Sequence, residues 1–133
     1  MIRSIPGVLL PMRSTLRWPM AVAAVGAAAA HIPVIAPHLK EAPYMGVLFI
    51  LLTIACIALA MAAMTCDAPV VYLAAATICG LTIIGYAATR LVPFPMLADD
   101  VGNWLEPLGV VSIVAETVVV ASSIAALRCR RLV

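Results

Sequence analysis

Residues 44–66 read YMGVLFILLTIACIALAMAAMTC, a run with no charge and no proline. About 20 such residues at 1.5 Å each cover the ~30 Å hydrocarbon layer of a membrane. A chain segment in lipid must satisfy its own backbone N–H and C=O groups, so this run is read as a membrane-spanning helix. Three further runs flank it, at about Trp18–Ile35, Val70–Thr89 and Leu108–Leu127, and of all the charged residues only Glu116 falls within any of the four. The expected architecture is therefore an all-α membrane protein, one integral domain over residues 1–133: an up-down bundle of four transmembrane helices with a longer outer loop between helices 3 and 4.

Composition agrees. Of the 133 residues 65% are apolar and 11% charged, against about 45–50% and about 25% in soluble domains. The mean hydropathy of +1.17 excludes a disordered chain. Net charge is only +2, and the basic residues lie beside apolar runs instead of forming a face, so a nucleic-acid partner is not expected. Cys56, Cys66, Cys79 and Cys129 have no CxxC spacing; they are read as small packing residues, without a disulfide or a zinc ribbon.

Arg3, Arg13 and Arg17 precede the first span and Arg128, Arg130 and Arg131 follow the fourth, whereas the loops after spans one and three hold only Lys40 and Arg90. This distribution places both termini in the cytoplasm of a multi-pass plasma-membrane protein and the two longer loops outside. The alternative is cleavage after AVGAAAAH as a secretory signal, which would leave three spans. Ala23, Gly26, Ala27 and Ala30 on the first span, and Ala76, Gly80 and Gly85 on the third, are small enough for close helix approach; the alternative is plain Ala-rich composition.

Polar residues collect in the expected outer half. In HIPVIAPHLKEAPY (31–44), Pro33 and Pro37 oppose helix continuation, so the segment is expected to bend and bring His31, His38 and Glu41 together. Two imidazoles and a carboxylate suit a transition metal such as zinc, copper or iron; the alternative is hydrogen bonding at the membrane boundary. The second outer loop, RLVPFPMLADDVGNWLEPLG (90–109), is read as an interfacial lid with Trp104 at headgroup depth. Its Asp99 and Asp100 suit either a hard cation or a cap on a short helix.

Glu116 lies well inside the fourth span, where an ionised carboxylate costs several kcal/mol unless paired, hydrated or protonated. It is expected to face the bundle, sharing a helix face with Ser112 and Ser123. Thr82, Tyr86 and Arg90 form a second stripe on the third span, and a hydrogen bond from Tyr86 or Thr82 to Glu116 fits the depth arithmetic. Glu116, Tyr86, Arg90, Asp99 and Asp100 are thus the candidate ligand-binding residues. For Glu116 the alternative is a protonated, purely structural side chain.

The pairing of HIPVIAPHLKEAPYMGVLF with PMLADDVGNWLEPLG and a later membrane Glu resembles a group of small, uncharacterised four-helix integral membrane proteins of actinobacteria. The resemblance runs over roughly residues 20–127 and is carried by His31, His38, Glu41, Pro43, Asp99, Asp100, Trp104, Glu106, Pro107 and Glu116. It implies a four-span fold and no particular activity. Small multidrug exporters keep their essential Glu in the first span, which has no acid here, and four-helix cytochromes need facing His pairs. The leading expectation is a membrane protein binding a metal or small ligand at an outward-facing polar site that joins His31, His38 and Glu41 to Glu116, with Asp99 or Asp100 as a further candidate member. The runner-up is a non-catalytic accessory subunit of a larger envelope or respiratory complex, with a membrane-protein partner or as a homo-oligomer. No nucleophile–base pair or phosphate loop suggests an enzyme.

Overall fold

A computed structural model describes residues 6–131. The described residues form a short turn of helix α1 (Pro6–Leu9), four long helices, α2 (Arg17–Glu41), α3 (Pro43–Thr65), α4 (Pro69–Leu91) and α5 (Pro107–Arg131), and a 3-10 turn at Ala98–Asp100. Each long helix is long and apolar enough to cross a membrane. Three of them open on proline, Pro43, Pro69 and Pro107, a residue whose missing N–H would have had no partner in the first turn anyway.

The expected bend after Ile35 is absent. α2 continues through Pro33 and Pro37 to Glu41, so His38, Lys40 and Glu41 are helical residues and not members of a loop. Both prolines are exposed on the helix surface, where their rings meet no neighbouring helix. Close to them, His38 Nδ1 donates to the Val34 carbonyl at 2.8 Å, giving that acceptor a side-chain partner. A single residue, Ala42, then separates α2 from α3, its N–H donating to His38 O at 2.8 Å. So tight a reversal needs Gly46: a Cβ there would lie 2.7 Å from the Leu39 backbone nitrogen.

α2 packs along α3 on one side and α5 on the other, α5 packs against α4, and α3 meets α4 only sparsely. The core is built on Met20, Ala24, Ala63, Tyr72, Ala75, Cys79, Val119 and Ala126. Its many alanines let neighbouring backbones approach closely. Ala27 and Ala30 are buried as the small-residue reading anticipated, but a Cβ at Gly80 or Gly85 would meet no atom within 4 Å, so neither glycine marks a close helix contact among the described residues. Cys56 and Cys79 are buried, Cys66 and Cys129 are exposed, and all four are free.

Candidate functional site: a buried His–Glu pair between two capped ends

His31 and Glu116 meet in the middle of the bundle. His31 is ten residues from the end of α2 and Glu116 nine from the start of α5, which puts each about 14 Å from the same end of the bundle. Their side chains are 3% and 0% exposed, and His31 Nε2 lies 3.0 Å from Glu116 Oε1. One proton must lie between those atoms for the contact to be attractive. Ser112, one turn before Glu116, donates to the same Oε1 at 3.3 Å and stands 3.5 Å from His31 Nε2. Glu116 Oε2 is buried with no hydrogen-bond partner, as is Ser123 Oγ two turns further along α5. The shared face of Ser112, Glu116 and Ser123 is as the sequence implied.

The other expected members of this site are elsewhere. Phe49 packs against both imidazoles, with ring centroids 5.5 Å from His31 and 4.9 Å from His38, and Glu41 is exposed. Among the described residues no three His, Cys, Asp or Glu side chains converge in a way that would hold a metal ion. Thr82 bonds the Ile78 carbonyl of its own helix, and Tyr86 OH donates to Trp104 O at 2.9 Å, so neither reaches Glu116.

Tyr86 and Arg90 instead hold the 92–106 loop over one end of the bundle. Arg90, 7% exposed, pairs with Asp100 at 3.1 Å, and its guanidinium carbon stands 4.4 Å from the Tyr86 ring centre. The Arg90 carbonyl accepts from Gly102 N–H at 2.9 Å, and Tyr44 OH donates to Pro95 O at 2.7 Å. Asp99 is exposed in the 3-10 turn beside Asp100. Glu106 caps α5, accepting from Leu108 N–H at 3.2 Å and Gly109 N–H at 2.5 Å. Gly109 is required: a Cβ there would lie 2.6 Å from the Tyr86 ring.

At the opposite end sits a cluster that sequence reading did not find. Asp67, in the α3–α4 link, is buried at φ +42°; its Oδ2 accepts from Ser14 N–H at 2.9 Å and its Oδ1 from Tyr72 OH. Its carbonyl accepts from Met12 N–H at 2.8 Å, and Arg17 stands 3.9 Å from the carboxylate. Asp67 thereby fastens residues 12–17 to α4. Comparison with known protein families, with curated proteins and with solved structures finds no match for this chain.

Proposed function

We propose that this chain is a multi-pass plasma-membrane protein of up-down topology with both termini cytoplasmic, and that its functional centre is a proton-holding pair, His31 and Glu116. The observation that carries this reading is the fully buried carboxylate with one oxygen on His31 and the other unpartnered. The pair is neutral overall as imidazolium–carboxylate or as imidazole–carboxylic acid, and removing the shared proton would leave a net charge inside the bundle. A proton is the ligand that fits a centre closed in on all sides, and Ser112 stabilises either arrangement by donating to Oε1. An infrared difference spectrum between acid and alkaline conditions tests the assignment. A carboxyl C=O band that disappears in Glu116→Gln and shifts in His31→Asn is expected; an unchanged spectrum in both variants would remove the pair as a proton site.

The topology has its own test in the native thiols. Cys66 and Cys129 are exposed at the arginine-bearing end, so a membrane-impermeant maleimide should label them only after intact cells are permeabilised. A cysteine at Asp99 should label from outside. The reverse pattern would overturn the orientation.

An accessory role in a larger membrane complex is favoured by a different observation. Pro19, Val22, Ala23, Val110, Val111, Val114, Ala115 and Val118 line a hollow of about 510 Å³ between α2 and α5, apolar throughout and facing away from the core. Cross-linking from a photoreactive residue at Val114 in native membranes is expected to capture a second polypeptide on this reading, and lipid alone would count against it.

A further inference from the structure

The two ends of the bundle differ in charge. Arg13, Arg17, Arg128 and Arg130 stand at one end with Asp67 as their only acid, and Asp67 is buried and already bonded to Arg17, Ser14 and Tyr72. The other end carries Glu41, Asp99, Asp100 and Glu106 against Lys40 and Arg90, and Arg90 is paired with Asp100. Among the described residues Arg13, Arg128 and Arg130 are exposed and in ion-pair distance of no acid, whereas Arg130 is bonded to the Gly7 carbonyl.

One of these guanidiniums stands at a hollow. Ala121, Ile124, Ala125, Arg128 and Cys129 line a space of about 540 Å³ on the outer side of α5. All five lie on one face of α5, Ala121 and Ala125 being its smallest side chains, and Arg128 stands one turn beyond Ile124 toward the end of the helix. The apolar part lies at hydrocarbon depth by its place within the spanning segment, and the cation lies where headgroup phosphates are.

We infer that this hollow is a binding site for one anionic phospholipid, with an acyl chain against Ala121 and Ala125 and the headgroup phosphate on Arg128. Guanidinium donors form paired hydrogen bonds to phosphate oxygens, which a zwitterionic lipid offers with a competing ammonium and an anionic one offers without it. Arg13 and Arg130, exposed at the same end of the bundle, add to the positive charge there. No covalent step is involved, and the site does not rest on the His31–Glu116 reading, since it lies outside the bundle on the surface of α5.

The experiment uses the full-length chain in neutral detergent, with native mass spectrometry to count retained lipid and a thermal unfolding midpoint as second readout. Phosphatidylglycerol, phosphatidylcholine and inorganic phosphate are added separately. Phosphatidylglycerol is expected to be retained at one molecule per chain and to raise the midpoint, phosphatidylcholine to be retained more weakly, and phosphate alone to do neither. Arg128→Gln should weaken phosphatidylglycerol retention about fivefold, the effect of one basic residue near an anionic surface. Ala125→Leu fills the hollow while keeping every charge and should weaken it too, and Lys40→Gln, at the other end, should not. Equal retention of the two lipids, or unchanged phosphatidylglycerol retention in both Arg128→Gln and Ala125→Leu, would overturn the site. So would a dimer that Ala125→Leu dissolves without any lipid dependence, because the occupant would then be a second copy of the chain.

Discussion

At mid-depth, His31, Ser112 and Glu116 bond to one another, side chain to side chain; at the two ends, Asp67, Arg90 and Tyr86 each bond a backbone group of another segment, and Glu106 bonds the first amides of its own helix. The difference follows from what surrounds them. At the ends the backbone groups of loops and helix starts lie within reach of a side chain, so end groups serve to hold chain segments in register. At the centre, the polar groups bond only to one another, and Glu116 Oε2 and Ser123 Oγ stay without a partner.

That contrast is most exposed to test at His31. His31→Ala leaves Glu116 buried without its main partner and is expected to destabilise the bundle by about 3–5 kcal/mol, read from denaturant titration in micelles. Glu116→Gln retains the shape and an acceptor for Nε2 and should cost far less. If the two substitutions proved equally mild, the centre would be no more demanding than the ends. Asp67→Ala comes next, with about 2–3 kcal/mol expected from the loss of its bonds to Ser14 and Tyr72. Its companion measurement is proteolysis near Met12, which should quicken as residues 12–17 come away from α4; unchanged cleavage would show that Asp67 does not fasten them.

Glu106→Ala removes the cap of α5 and should cost about 1 kcal/mol, with faster hydrogen exchange confined to the amides of Leu108 and Gly109. Exchange spreading to Glu116 would show the end and the centre to be one cooperative unit. The smallest effect belongs to Asp100→Asn, below about 1 kcal/mol and shrinking further at high salt, because Asp100 is partly exposed to solvent that screens the pair. A larger, salt-independent loss would mean that the loop seals the bundle more tightly than its exposure implies.

The four helices were legible because hydropathy over some 20 residues needs no partner to be read. Glu116 was legible for the same reason in reverse, as a cost that had to be met within the bundle, but depth arithmetic matched it to Thr82 and Tyr86 of α4, whereas its partner is His31 of α2. The continuation of α2 to Glu41 was not, since Pro33 and Pro37 count as stop signals unless one knows that they face outward. Asp67 was not legible either: MTCDAP reads as an ordinary link, and only the folded chain shows that Ser14, Arg17 and Tyr72 meet there. Tyr86 and Arg90 were found as a polar stripe, but their direction, toward the loop instead of Glu116, depended on Gly109 making room for the Tyr86 ring.

The sparse packing of α3 on α4 bears on how the chain is made. α2 and α3, joined by Ala42 alone, can close on each other as a hairpin as soon as both have left the ribosome. α4 emerges next but its main partner, α5, is still unsynthesised, separated from it by the 92–106 loop. For that interval α4 lacks its main partner and meets the hairpin only through its sparse contact with α3. His31 stands beside Phe49 of α3 before Glu116 exists to meet it, so α5, made after α2, α3 and α4, completes both the bundle and its polar centre.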